Sequence, residues 1–302
     1  MTIAITGGTG FVGQAFLDLA AKRDLPVRSL ARTVPGDRKA VGWISGDLTD
    51  KASLQRLVDG AEAVLHIAGQ VRAADPAEFN TSNVQGTLNV IEAAKAAGVP
   101  RFIFVSSLSA REPQLSAYGA SKLRAEKLVA ASGLDYSIIR PPAIYGPRDG
   151  ENLDLFKAAK LGVIPMPPEG RASWMHVSDL TELLVKMLEP NECLTGGLFE
   201  PDDGNEGGWT HRQIAMAIGQ AVGRKPWVPH LSKPVLEVAA KLDGWLRRGD
   251  AKLTPDRVGY MTHPDWVASS RHAVPDHIWR PTVSLEAGVK STADWYRKAG
   301  WL

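Results

Sequence analysis

Tyr118 and Lys122 are spaced as Tyr-x-x-x-Lys, and Ser106-Ser107 stands shortly upstream. Four residues along a helix bring two side chains to one face. A free phenol, with a pKa of roughly 10, is a poor acid–base group at neutral pH. A neighbouring ammonium stabilises phenolate and lowers that pKa. Tyr118 is therefore the candidate proton-transfer group and Lys122 its activator, with a second role in holding a nicotinamide ribose. Far upstream, Thr6-Gly7-Gly8-Thr9-Gly10-Phe11-Val12-Gly13 has the form of a dinucleotide grip. Gly7 permits a tight turn, Gly10 lets the backbone approach a pyrophosphate, and Gly13 allows close helix–strand packing. A helix starting at Phe11 would offer free N–H groups and a favourable dipole to phosphate. Together the two motifs imply hydride chemistry, which either alone would not.

The end of the second predicted strand bears on the cofactor. NAD sites usually place Asp or Glu there, on the ribose diol. Here the strand ends Leu30-Ala31-Arg32. Arg32 suits a 2′-phosphate and adenine stacking, which favours NADP over NAD; the competing reading is a solvated surface arginine. Asp47-Leu48 follows the third strand, where a carboxylate can accept from the adenine amine or simply cap a turn.

These motifs need a scaffold, and the hydrophobic pattern supplies one. Ile3 to Thr6, Val27 to Arg32, Trp43 to Gly46, Ala63 to Ala68, Arg101 to Ser107 and Tyr136 to Arg140 read as strands. Phe11 to Arg23 and segments 51–59, 76–97 and 116–132 have helical spacing. The alternation predicts an α/β fold, a Rossmann-type doubly wound parallel sheet. Ser107 then ends a strand at the carboxyl edge, where open sheets bind ligands. After Pro141-Pro142 the rhythm breaks, and Pro165, Pro167 and Pro168 mark an irregular excursion. Helices are expected over Val177 to Leu188, capped near Ser178, over 211–222, capped by Thr210, over Lys233 to Arg248, and over 285–299, capped by Ser284. The expected organisation is a Rossmann domain over 1–165, rejoined by 171–201, and a smaller, mainly helical substrate lobe over 202–302.

Composition removes several classes. A formal net charge of +2 over 302 residues implies no general field for nucleic acid. No run is long and apolar enough to span a bilayer. The single Cys193 forms no internal disulfide, which fits a reducing compartment, and it reads as a packed residue. The start lacks a basic leader and is interrupted by glycines, so the chain is read as cytoplasmic. No metal is expected.

The ordered motifs resemble the short-chain dehydrogenase/reductase superfamily, specifically its extended branch, the NAD-dependent epimerases and dehydratases. The carriers are Thr6 to Gly13, His66-Ile67-Ala68-Gly69, Asn83-Val84-Gln85-Gly86-Thr87, Phe104 to Ser107, Tyr118 to Lys122, Arg140-Pro141-Pro142 with Tyr145-Gly146-Pro147, and His176-Val177-Ser178-Asp179. The resemblance implies Tyr118 as acid–base, Lys122 as activator and Ser107, rather than Ser106, as the carbonyl-orienting hydroxyl. It implies that Ala68 and Gly69 line the cofactor through backbone groups, that Pro141, Ala143 and Ile144 flank the nicotinamide, and that Asn83 braces the sheet. His66 and His176 read as structural rings. It also implies a homodimer, since extended-branch relatives often pair. Ser107 precedes Tyr118 by 11 residues; sugar-nucleotide enzymes of this branch usually carry a longer insertion there.

Eight of the nine tryptophans follow residue 170, and the ending, Trp279-Arg280-Pro281 through Trp295-Tyr296-Arg297 to Gly300-Trp301, resembles that of 3β-hydroxysteroid dehydrogenase-like members. That implies an oxo or hydroxy substrate with a hydrophobic body. Val235-Leu236-Val238-Ala239-Leu242-Trp245-Leu246, followed by Arg247-Arg248, is amphipathic; it reads as a lobe helix packed on its neighbours or as one lying at a membrane surface. The leading expectation is NADP-dependent interconversion of a ketone and a secondary alcohol. The rivals are a nucleotide-sugar epimerase or dehydratase and a noncatalytic NADP-binding sensor or assembly protein.

Overall fold

The computed structural model describes residues 1–36, 40–73, 75–247, 251 and 253–302. Contacts divide it into two units: Met1–Arg140 with Thr181–Phe199 and Val274–Trp279, and Pro141–Leu180 with Glu200–Ala273 and Arg280–Leu302. The first break falls where the sixth strand ends, earlier than position 165.

The first unit is built on seven parallel strands: β1 Ile3–Thr6, β2 Val27–Ala31, β3 Val41–Ser45, β4 Ala63–His66, β5 Arg101–Val105, β6 Tyr136–Ile139 and, late in the chain, β10 Gly197–Phe199. Their order is β10-β6-β5-β4-β1-β2-β3. Every residue of β1, β4 and β5 is buried. That is the burial expected of strands covered on both faces by crossover helices, so their side chains do not alternate between oil and water. The order reverses between β1 and β4, which pair from Ile3↔Ala63 to Thr6↔His66. The crevice at a doubly wound sheet's switch point opens there, beyond the carboxyl ends of the strands.

The helices of this unit include α1 Phe11–Lys22, α2 Lys51–Val58, α3 Pro76–Phe79, α4 Gly86–Ala96 and α5 Ala117–Ala130. Leu54, Leu57 and Val58 of α2, Val90 and Ile91 of α4 and Ala125 and Val129 of α5 share one core with Val64, Phe102 and Phe104. The helix expected over 76–97 is interrupted. Residues Asn80–Gln85 form a wider π-helical turn between α3 and α4. Such turns recur at functional sites, and this one carries Asn83.

The second unit has two small sheets. β7 Ala143–Tyr145 pairs with β9 Trp174–His176; β8 Arg171–Ala172 lies between β11 Trp209–Thr210 and β12 Asp265–Trp266. Its helices include α6 Leu153–Lys160, α8 His211–Ala221, α9 Lys233–Arg247, α10 Pro255–Met261 and α11 Leu285–Lys298. Phe156, Trp174, Ile214, Ile218, Val289 and Tyr296 form its core. Thr210 and Ser284 cap their helices as expected. Helix α7, Val177–Lys186, starts one residue before Ser178. Ser178 is therefore inside the first turn rather than a cap, and its hydroxyl meets His176 Nδ1 at 2.7 Å. Arg248 lies outside the described residues. Cys193 is exposed, not packed; it sits in the loop after α7, where its amide bonds the Asn191 side chain.

Candidate active site

The glycine loop joins β1 to α1 at the switch point. Gly7 takes φ +80°, a left-handed conformation that glycine adopts without a Cβ penalty. A Cβ there would come 2.7 Å from the Ala68 amide nitrogen, and one at Gly13 would strike the Gly7 carbonyl. Gly10 differs: beyond Gly7 O at 3.4 Å nothing lies within 4 Å of its virtual Cβ. The loop is thus tight toward the protein and open at Gly10, the side on which a phosphate would approach. Gly10 caps α1 with no side-chain bond, and the first turn carries no acid. The amides of Phe11, Val12 and Gly13 have no preceding helical carbonyl to bond, and the dipole favours an anion. Thr9 is exposed, and its carbonyl is fixed by Gln14 Nε2 at 2.8 Å. These features fit a pyrophosphate.

His66, at the end of β4, locks this loop from below. Thr6 Oγ1 lies 2.5 Å from its Nδ1 and Thr87 Oγ1 lies 2.9 Å from its Nε2. The proton positions follow from the outer partners. Thr87 donates to the Asn83 carbonyl at 2.6 Å and so accepts from Nε2–H. Nδ1 must then accept from Thr6, whose oxygen in turn accepts from the Ala68 amide at 3.2 Å. Burial, aided by Lys122, pushes the His66 pKa down to about 3. The ring is a neutral brace between β1, β4 and the start of α4, whose Thr87 reaches back to the π turn.

Asn83 extends the brace. Its Oδ1 accepts from the Gln70 amide at 2.7 Å, while Nδ2 donates to the Gln70 carbonyl at 3.0 Å and to Ser121 Oγ at 2.9 Å. It therefore fixes the segment Ala68-Gly69-Gln70 against α5. At the β2 edge, Arg32 is exposed. Asp47 Oδ1 accepts from Thr49 Oγ1 at 2.6 Å, Thr49 N at 2.7 Å and Asp50 N at 3.2 Å. Those bonds, with a smaller contribution from Arg32, hold its carboxyl below the usual range. Asp47 thus closes the turn that leads to Asp50, the N-cap of α2. The Leu48 carbonyl accepts from Asn89 Nδ2 at 2.8 Å.

Tyr118 and Lys122 lie on α5, whose first turn is capped by Ser116 Oγ, accepting from Gly119 N at 2.9 Å. Gly119 lets the Ser109 carbonyl approach within 2.5 Å of where a Cβ would stand, which brings the segment after β5 against the turn that bears Tyr118. Tyr118 is half-buried, its ring against Phe79 at 5.9 Å. Lys122 is buried. Its Nζ donates to the Val105 carbonyl at 2.8 Å and sits 4.5 Å above the Phe104 ring. The same atom lies 3.5 Å from where a Gly69 Cβ would stand. An ammonium has three donors, and Val105 takes one. Burial lowers the Lys122 pKa to about 8, against the opposing pull of Glu126.

The structure separates the two serines. Ser106 is buried and donates to Glu126 Oε1 at 2.5 Å. Glu126 also accepts from Arg140 Nε at 2.9 Å and Nη2 at 2.7 Å. Ser107 is half-buried, and its oxygen accepts from Ser109 Oγ at 2.9 Å and Ser109 N at 3.2 Å. With those donors on its lone pairs, the Ser107 proton is directed elsewhere. Ser109 and Glu126 were not among the expected site residues, and Arg140 stood there only as part of the Arg140-Pro141-Pro142 motif, with no role of its own. Glu126 had a signal: it stands one helical turn after Lys122, on the same face.

Pro141, Ala143 and Ile144 belong to the second unit, the last two on β7. His176 is buried there and bonded to Ser178 through Nδ1; burial lowers its pKa. A groove of about 690 Å³ in this unit is lined by Trp209, Arg212, Met216 and Arg224 among others. None of the residues singled out for chemistry lines it.

The family model described as "NAD dependent epimerase/dehydratase family" matches residues 3–199. A ceramide reductase of Caulobacter vibrioides is 38% identical over 99% of this chain and 96% of its own length. A 2-alkyl-3-oxoalkanoate reductase of Stenotrophomonas maltophilia is 27% identical over 96% of this chain and 98% of its own. Among solved structures, the Thermus thermophilus UDP-glucose 4-epimerase in complex with NAD superposes with a TM-score of 0.72 at 24% identity, covering 99% of this chain and 100% of that one. That last likeness is one of fold.

Proposed function

The chain belongs to the NAD dependent epimerase/dehydratase family, the extended short-chain dehydrogenases/reductases, and from that premise we propose that it is an NADP-dependent reductase converting a ketone on a lipid-like body to a secondary alcohol. The observation that carries the chemistry is the buried Lys122 ammonium, held by Val105 and Phe104 one helical turn from Tyr118. The likeness to a ceramide reductase across nearly the whole of both chains supports the lipid-like body. The name of the oxoalkanoate reductase supports a ketone and the reductive direction.

In this reading the Phe11, Val12 and Gly13 amides take the pyrophosphate, with Gly7, Thr9 and Gly10 shaping the loop. Arg32 pairs with the 2′-phosphate; the absence of an acid at the end of β2 favours NADP. Asp47, Leu48, Ala68 and Gly69 line the adenine and ribose side, and Pro141, Ala143 and Ile144 flank the nicotinamide. When bound, the cofactor supplies a hydride for the carbonyl carbon. Ser107 donates a hydrogen bond to the carbonyl oxygen, with its own orientation set by Ser109. Tyr118 gives its phenolic proton to that oxygen as negative charge develops, so hydride and proton together complete the alcohol. Lys122 stabilises the phenolate left behind and uses another donor on the ribose. A water-insoluble substrate is also best met at a lipid surface, and peripheral membrane contact belongs to the same proposal.

The test is a substrate comparison with purified protein. NADPH consumption with a long-chain 3-oxo lipid, matched mole for mole by alcohol formed, is the expected result. Arg32→Ala is expected to weaken the preference for NADPH over NADH about tenfold. Interconversion of UDP-glucose and UDP-galactose with no net NADPH consumption would instead establish the epimerase reading.

A further inference from the structure

Helix α9 exposes Val235, Val238, Leu242, Trp245 and Leu246, from 50% at Val235 to 78% at Trp245. At 100° per residue these five side chains fall within an arc of about 100°. The opposite side carries Leu236 and Ala240, buried against Val258 of α10. The helix therefore has two apolar faces, one consumed by the fold and one left to solvent. Isolated exposed apolar residues need no explanation, but a contiguous stripe marks an interaction surface.

We propose that this stripe docks on an anionic lipid bilayer, with α9 lying along the surface. Three observations select a membrane over a protein partner. Lys233, Lys241 and Arg247 are exposed on the helix; Glu237 is an exposed acid, and the less exposed Asp243 pairs with Arg247 at 3.1 Å while accepting from the Leu253 amide at 2.8 Å, which leaves a small basic excess carried by the two lysines. A basic balance around an apolar stripe matches acidic headgroups above an acyl layer. Trp245 stands on the border of the stripe nearest Lys241, an amphipathic ring suited to the headgroup level. The area is also wrong for a stable dimer. A standard interface takes about 20–30 residues a side, and the stripe offers five large ones. Spanning is excluded for α9 by its length. Fifteen residues extend about 22 Å, and no helix among the described residues is long and apolar enough to cross a membrane.

The purpose of such docking rests on the lipid-substrate reading, but the docking itself does not need it. Full-length protein is sedimented with phosphatidylcholine vesicles, with and without phosphatidylglycerol. The expected result is pelleting with the anionic vesicles and little with the neutral ones. Val238→Glu, Leu242→Glu and Leu246→Glu in one chain are expected to lower partitioning about 100-fold. The melting temperature should hold, because these side chains touch water in the fold. Wild-type protein that stays in the supernatant overturns the proposal, as does a triple variant that binds equally well. A concentration-dependent dimer that the triple variant dissociates, without vesicle binding, overturns it in favour of a second copy. Protein that pellets but reduces no lipid ketone keeps the docking and removes only the substrate reading.

Discussion

Helices α5 and α9 are of nearly equal length, 14 and 15 residues, and they depart from ordinary side-chain sorting in opposite directions. α5 buries Ser121, Lys122 and Glu126, whereas α9 buries only Leu236 and Ala240 and leaves its larger apolar side chains in water. Each arrangement costs stability unless something compensates. For α5 the compensation is inside the fold: Val105 and Phe104 for Lys122, Arg140 and Ser106 for Glu126. For α9 the proposed bilayer docking would supply it from outside. A helix that spends stability on buried charge is organised for chemistry; one that spends it on exposed oil is organised for contact.

Substitutions on the two helices should behave differently. The largest expected effect is on α5. Tyr118→Phe should cut the reduction rate by about 10²–10⁴, while NADPH affinity, read by fluorescence titration, changes little. A rate within tenfold of wild type would remove Tyr118 from proton transfer. Next, Glu126→Ala leaves the Arg140 guanidinium and Ser106 without their carboxylate. It should cost about 3–5 kcal/mol in denaturant unfolding, and a cost below 1 kcal/mol would show that water replaces the carboxylate.

Lys122 tests the same region through pH. Its folded pKa of about 8 lies below the 10.5 of a free lysine, so between those values the unfolded chain binds more protons. Stability contributed by this site therefore rises as pH climbs through that window and is absent below about 8. Lys122→Met should abolish the slope and stabilise the protein at pH 7 while lowering activity. Reduction by the wild type should decline above pH 8, where the ammonium is lost. A profile flat to pH 10 would contradict the role given to its charge. The smallest effect belongs to α9. Leu242→Gln should move unfolding free energy by no more than about 0.5 kcal/mol, and a larger loss would mean that the stripe is packed after all.

The scaffold was legible where a local rule sufficed. Gly7, Gly10 and Gly13 announced the loop because each answers a distinct steric demand, and the buried strands read as short apolar runs. Thr210 and Ser284 were visible as caps because side chain and amide are three residues apart. What stayed hidden depends on partners distant in sequence. The π turn at Asn80–Gln85 is anchored by Asn83 reaching the Gln70 backbone and Ser121, and nothing in helical spacing reveals that. Helix α6 lay in a segment that its flanking prolines made look irregular. The exposure of Cys193 reflects a loop position that residue type does not encode. Ser106 and Ser107 are adjacent and of one type, so residue chemistry alone did not separate them and the preference for Ser107 came from the resemblance; Glu126 and Arg140 supply the physical reason, since they commit Ser106 to the interior.

In the proposed reaction Tyr118, Lys122 and Ser107 perform a net carbonyl reduction. Incubating the protein with a long-chain 3-oxo lipid and NADPH deuterated at the transferring position tests it most directly. The expected result is one deuterium on the carbinol carbon of each alcohol formed, with product and label lost together in Tyr118→Phe. Unlabelled product, or labelled product at an undiminished rate in Tyr118→Phe, would contradict it.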